Sequence, residues 1–162
     1  MKIQLVSGLT KISLLSAIVF VTAVTSAQGQ SLANRIGANI PFDFSVADKK
    51  LSSGKYSIGR ARRDSDDTVL SVLDVDGSSR AIPLSSSVQT LQAKDKATLV
   101  FHRYGDQYFL FQVWPAGETT GRQFYKSRSE RDIERNLQGK SSTGRIAENV
   151  AVETVTIVGV LL

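Results

Sequence analysis

The stretch LVFHRYGDQYFLFQVW, residues 99–114, constrains the fold more than any other part of the chain, because it predicts a hairpin that is apolar on both faces. Gly105-Asp106 separates two runs of strand-forming residues and has the composition of a two-residue turn. Pairing outward from that turn sets Tyr104 against Gln107, Arg103 against Tyr108, His102 against Phe109, Phe101 against Leu110 and Val100 against Phe111. Directly opposed residues share a face. One face therefore carries Val100, His102, Tyr104, Phe109, Phe111 and Val113, and the other Leu99, Phe101, Tyr108, Leu110 and Trp114, with Arg103 near the tip. Such a hairpin needs cover on both sides, so it belongs inside a layered fold.

The rest of the chain is mostly β by the same logic. In RIGANIPFDFSV, apolar residues fall at every second position from Ile36 to Val46, which predicts one strand with a buried face. Pro41 cannot donate to a ladder and places that strand at a sheet edge or its amide outside the pairing. A polar turn over 47–54 leads to a strand at KYSIGRA, and another follows at 68–75. Asp76-Gly77 then turns the chain into a return strand over 80–90, where Pro83 again points to an edge. Residues 115–122 read as a loop and 123–126 as a short strand. Ser127, three residues before Glu130, has the form of a capping box opening one short amphipathic helix over 127–137, with only Ile133 and Leu137 as an apolar stripe. Residues 138–145 have a connector's composition, and the valine-rich end, ENVAVETVTIVGVLL, must be a buried or paired strand. The expectation is a single-domain β-sandwich or small β-barrel of about seven or eight strands.

The first 27 residues are expected to lie outside that domain. Lys2 and Lys11 precede the uncharged run Ile12–Val24, followed by Thr25, Ser26 and Ala27, the layout of an export signal cut after Ala27. The apolar run is 13 residues, short of the roughly 18 that argue for a spanning helix. Cleavage leaves a domain over 28–162 with no transmembrane helix, and its formal charge falls from +5 to +3. That balance, mixed in sign along the chain, gives no ground for a nucleic-acid partner. The expected location is periplasmic or extracellular, with envelope association open. The absence of cysteine excludes disulfides, thiolate metal sites and thiol catalysis, so an ordinary apolar core must hold the fold.

The blocks PFDF, LSSGKYSIGR, LVFHRYGDQYFLFQVW and GRQFYKSRSER, in that order, resemble a family of small, exported, uncharacterised bacterial proteins that share them over nearly the whole mature chain. Where that family tends to carry Leu-Pro-Ala-Gly before the GKY motif, Ser52 and Ser53 stand here. The resemblance implies export and a common fold; it brings no catalytic residue.

No motif for chemistry emerges. His102 is the one imidazole, and with no cysteine it excludes the usual zinc clusters. No nucleophile elbow and no glycine-rich phosphate loop is present. Asp64, Asp66 and Asp67, and separately Asp74 and Asp76, could hold calcium, but neither group has a complete calcium-loop spacing, and aspartate is a common turn former. Arg60, Arg62 and Arg63 form one basic cluster; Lys126, Arg128, Arg131 and Arg135 form another, interleaved with Glu130, Asp132 and Glu134 as on a solvated helix face. No catalytic residue, cofactor or metal is therefore expected. The leading expectation is a non-enzymatic envelope or secreted binding module, with Tyr104, Tyr108, Trp114, His102 and Arg103 as candidate contacts to a glycan, lipid, peptide or other envelope component. The alternatives are a small hydrolase pairing His102 with Asp43 or Asp106, and an integral outer-membrane barrel.

Overall fold

The computed structural model describes residues 35–62, 68–77, 80–141 and 152–162, with side chains of the helix described through residue 137. In chain order the strands are β1 (Ile36–Ile40), β2 (Phe44–Val46), β3 (Lys49–Leu51), β4 (Gly54–Arg60), β5 (Leu70–Asp74), β6 (Arg80–Ala81), β7 (Ser85–Gln89), β8 (Thr98–Tyr104), β9 (Gln107–Trp114) and β10 (Thr120–Phe124), then helix α1 (Arg128–Ser141), β11 (Glu153–Val158) and β12 (Val160–Leu161). They form two sheets, β12-β1-β4-β5-β6 and β11-β8-β9-β10-β7, with β2 and β3 attached to the second through β9. The molecule is mainly β with a sandwich-like architecture, and the small closed barrel of the sequence reading is not formed. An outer-membrane barrel is not formed either: the longest described strand, β9, has 8 residues, where a spanning strand needs roughly nine to eleven, and the space between the sheets is filled.

The strand count exceeds the expected seven or eight because three segments that read as single strands each break and pass from one sheet to the other. Residues 36–46 divide at Pro41 into β1 and β2, 80–89 divide around Pro83 into β6 and β7, and 153–161 divide at Gly159 into β11 and β12. A residue without an amide proton interrupts a ladder, which suits it to such a corner. Pro41 thus lies outside the pairing, while β1 itself runs between β12 and β4 and is not an edge strand. At Gly159 the reason is space, since a Cβ there would sit 2.7 Å from Ile36 Cγ2 and 2.9 Å from the Gly37 carbonyl. The chain remains bonded through the corner: Gly159 N–H donates to the Ala97 carbonyl at 2.8 Å, and Leu162 N–H to the Arg35 carbonyl at 2.7 Å.

The remaining differences are local. The polar turn expected over 47–54 contains β3, joined to β2 by Ala47-Asp48, both at positive φ (48° and 62°). Strand β10 begins within the expected loop 115–122 and pairs with β7 along its whole length. Helix α1 runs to Ser141, into the first half of the expected connector; residues 142–145 lie outside the described residues, as does the segment 1–34 that carries the export reading.

Ile36, Ile40, Ile58, Leu70 and Val72 from the first sheet meet Leu99, Phe101, Leu110 and Val113 from the second, all nearly or fully inaccessible. PFDF is sewn into the hairpin block here: Phe44 packs edge-on against Tyr56 at 5.1 Å and Phe101 at 5.6 Å, and Phe42 stacks on Tyr108 at 3.9 Å. Such pairs contribute about 0.5–1.5 kcal/mol each beyond area burial.

Candidate functional site

The hairpin β8–β9 turns at Gly105-Asp106 as the sequence predicts, with Gly105 at φ 61° and Tyr104 opposite Gln107. Positive φ at the first turn residue alone matches the type II′ geometry that glycine there permits. The pairing holds from Tyr104 back to Phe101 opposite Leu110, and then shifts at a bulge between Val100 and Phe101. Beyond the bulge Val100 pairs with Gln112 instead of Phe111, and Val113 joins Leu99 on the inner face. A bulge re-aims every side chain past it, and composition does not reveal it.

The outer face of the hairpin is covered by helix α1, and the contact is polar at its centre. His102 donates from Nδ1 to Glu130 Oε1 at 2.7 Å. The Tyr104 hydroxyl donates to Glu134 Oε1 at 2.6 Å and lies 3.3 Å from Glu130 Oε1. Lys126 Nζ also donates to Glu134 Oε1. Glu130 is only 4 % exposed. Its backbone N–H is capped by Ser127, donating to Ser127 Oγ at 3.1 Å, while its side chain goes to the sheet instead of returning to the Ser127 amide. Half of the expected capping box is made, and the other half has been exchanged for a helix-to-sheet bond. Asp48, from the β2–β3 turn, supplies a second cap by accepting from Arg128 N–H at 2.7 Å.

Burial above all, then the hydrogen bond to Glu134 and the negative charge of Glu130, hold the Tyr104 phenol far above its ordinary value. For Glu134 burial acts upward, but hydrogen bonds from Lys126 and Tyr104 outweigh it and leave the carboxyl below the usual range. The His102 ring is stacked on Phe111 at 3.8 Å. An imidazole oriented by a carboxylate is half of a catalytic triad, but among the described residues no hydroxyl is hydrogen-bonded to His102.

The five candidate contacts do not share a surface. Tyr104 and His102 lie beneath the helix. Tyr108 is half-buried on the inner side against Phe42, with Arg103 Cζ 5.6 Å from its ring. Arg103 is directed to Glu153 at 3.1 Å and the Gly105 carbonyl at 2.8 Å. Trp114 is 5 % exposed at the far end of the hairpin, its Nε1–H on Gln112 Oε1 at 3.1 Å. The aspartates proposed as partners of His102 serve elsewhere: Asp43 accepts from Ser53 N–H at 2.9 Å, and Asp106 is exposed in the turn. Sequence reasoning missed Glu130 and Glu134, whose alternation with arginine hides which face is turned inward.

Asp76 N–H donates to Asp74 Oδ1 at 3.3 Å, a turn contact, and Asp64, Asp66 and Asp67 lie outside the described residues. Among the described residues no cluster of three or more metal-ligating side chains occurs, and no helix is long and apolar enough to cross a membrane.

An open concavity lies elsewhere, on the outer face of the first sheet. It has a volume of about 380 Å³ and is walled by Val75, Val158, Val160 and Leu162, with Gly37, Ala38 and Tyr56 at its base and Asn39 and Lys55 beside each other on neighbouring strands. Its walls are large apolar side chains in contact with solvent: Val75 and Val160 are each 64 % exposed, Val158 59 % and Leu162 66 %. Binding pockets span roughly 300–1,000 Å³ and are mostly apolar with a few placed polar groups. No family model matches the chain, and no curated protein or solved structure matches it.

Proposed function

We propose that the chain is an exported, non-enzymatic binding module of the bacterial envelope or its surroundings, and that it binds through the apolar concavity of the first sheet rather than through the aromatic hairpin. The observation that carries this reading is the gathering of Val75, Val158, Val160 and Leu162, all exposed, around one hollow. Scattered exposed apolar residues need no explanation, whereas a contiguous group rimmed by polar ones marks a binding surface. The hairpin, by contrast, has its polar groups satisfied internally. Export is supported by the Lys2-to-Ala27 pattern and by the resemblance to an exported family.

The test has two parts. Cells expressing the full chain are fractionated with a salt wash before detergent, and the product's intact mass is measured; a soluble species beginning at Gln28 is expected, and retention in the membrane until detergent refutes the soluble module. The purified product is then titrated with a polarity-sensitive apolar dye. Saturable binding that Val160→Lys abolishes, with the fold unchanged by circular dichroism, supports the concavity, and binding indifferent to that substitution refutes it.

A further inference from the structure

We infer that the ligand of this concavity is a single-chain alkyl carboxylate, a fatty acid, held with its chain on the valine–leucine wall and its carboxylate on Lys55. The inference rests on the pocket reading just given and adds the ligand class to it.

Three features of the site converge. The wall is aliphatic: Val75, Val158, Val160 and Leu162 offer branched methyl groups and no ring face, which suits a flexible hydrocarbon chain better than a sugar ring or an aromatic side chain. The volume, about 380 Å³, falls at the small end of ligand sites and matches one chain rather than a two-chain lipid. The lining side chains are one-sided in charge, since Lys55 and Asn39 sit on opposed register positions of β4 and β1 and no Asp or Glu side chain lines the hollow. The Lys55 ammonium has no ion-pair partner among the described residues, whereas Lys126 is tied to Glu134, Arg135 to Asp132 and Arg131 to the Lys126 carbonyl. An unpaired cation beside an amide donor at the edge of an aliphatic hollow is complementary to one anionic head on one apolar tail.

The strand pairing explains why the hollow persists. Tyr56 forms part of its base from β4, its ring turned inward against Phe44 and its hydroxyl donating to the Ser52 carbonyl at 2.7 Å. Leu162 stands over Gly37, where a Cβ would meet the leucine side chain at 3.0 Å. Each methylene that moves from water onto such a wall adds about 0.8 kcal/mol, roughly a four-fold gain in affinity.

The experiment is calorimetric titration of the chain, as purified from the cells that export it, with octanoate, decanoate, decanol and decyltrimethylammonium below their micellar concentrations. The expected result is that decanoate binds more tightly than octanoate by roughly fifteen-fold, more tightly than decanol, and far more tightly than the cation. Lys55→Gln is expected to bring decanoate down to decanol while leaving decanol unchanged, and Val160→Lys to abolish both. If decanol binds as tightly as decanoate in the unaltered chain, or Lys55→Gln leaves their ratio as it was, the carboxylate assignment is overturned although the apolar pocket stands. If none of the four binds, or binding survives Val160→Lys, both this inference and the pocket reading fall.

Discussion

Replacing Glu130 by alanine tests whether the helix is held to the sheet by a buried polar pair. Its carboxylate accepts the His102 Nδ1–H at 2.7 Å, and both residues are almost entirely buried. A hydrogen bond involving a charged group contributes about 1.5–3 kcal/mol, and breaking a buried pair by removing one partner costs about 3–5 kcal/mol because the other is left uncompensated. Two features hold the loss at the low end. Tyr104 retains its bond to Glu134, and the Ser127 cap acts on the backbone of residue 130, which alanine keeps. The expected loss is therefore about 3 kcal/mol, which at a urea dependence of about 2 kcal/mol/M lowers the midpoint by about 1.5 M. The assay is urea unfolding at neutral pH followed by the fluorescence of Trp114. A double variant, Glu130→Leu with His102→Phe, should recover most of the loss, because an apolar pair of similar volume removes both desolvation costs. A loss below about 1 kcal/mol in Glu130→Ala would place the pair with exposed ion pairs and refute the reasoning, as would a double variant no more stable than the single one.

Three further outcomes follow from other parts of the fold. Ala47→Gly should stabilise the protein by about 1 kcal/mol, because alanine is held there at φ 48° in the left-handed region that costs a residue with a Cβ roughly 1–2 kcal/mol; the urea midpoint reads it. Gly159→Val should destabilise by at least about 1–3 kcal/mol, since its Cβ alone would overlap Ile36 and the Gly37 carbonyl, and the thermal midpoint should fall accordingly. For Tyr104 the folded phenol is held above its ordinary value, so its stabilising share is complete below about pH 10 and is lost as pH rises beyond that. Tyr104→Phe should therefore flatten the fall in stability above about pH 10, leaving the part due to Tyr56, which burial and the nearby Asp74 and Asp43 also hold high; an unchanged alkaline slope refutes the assignment.

The hairpin was legible because its information is local: Gly105-Asp106 fixes the turn, and the turn fixes the pairing as far as Phe101. Past that point the bulge at Val100 depends on how the strand bends over the other sheet, and no neighbouring residue encodes it. The same limit explains the strands that were read as one. From Ile36 to Val46 the alternation continues unbroken through Pro41, because apolar residues on both sides of a sheet-to-sheet corner still face the same core. Period two reports which side is buried and is silent about which sheet buries it. Helix α1 shows the opposite failure. Its apolar stripe was too narrow to suggest a close-packed element, and the face that docks is carried by Glu130 and Glu134, residues whose type argues for solvent. Their partners, His102 and Tyr104, sit about thirty positions upstream, so the pairing exists only once the hairpin has formed and offered its outer face. The two-sided hairpin therefore required a cover that its own sequence could not describe, and the cover is amphiphilic because the face beneath it is too.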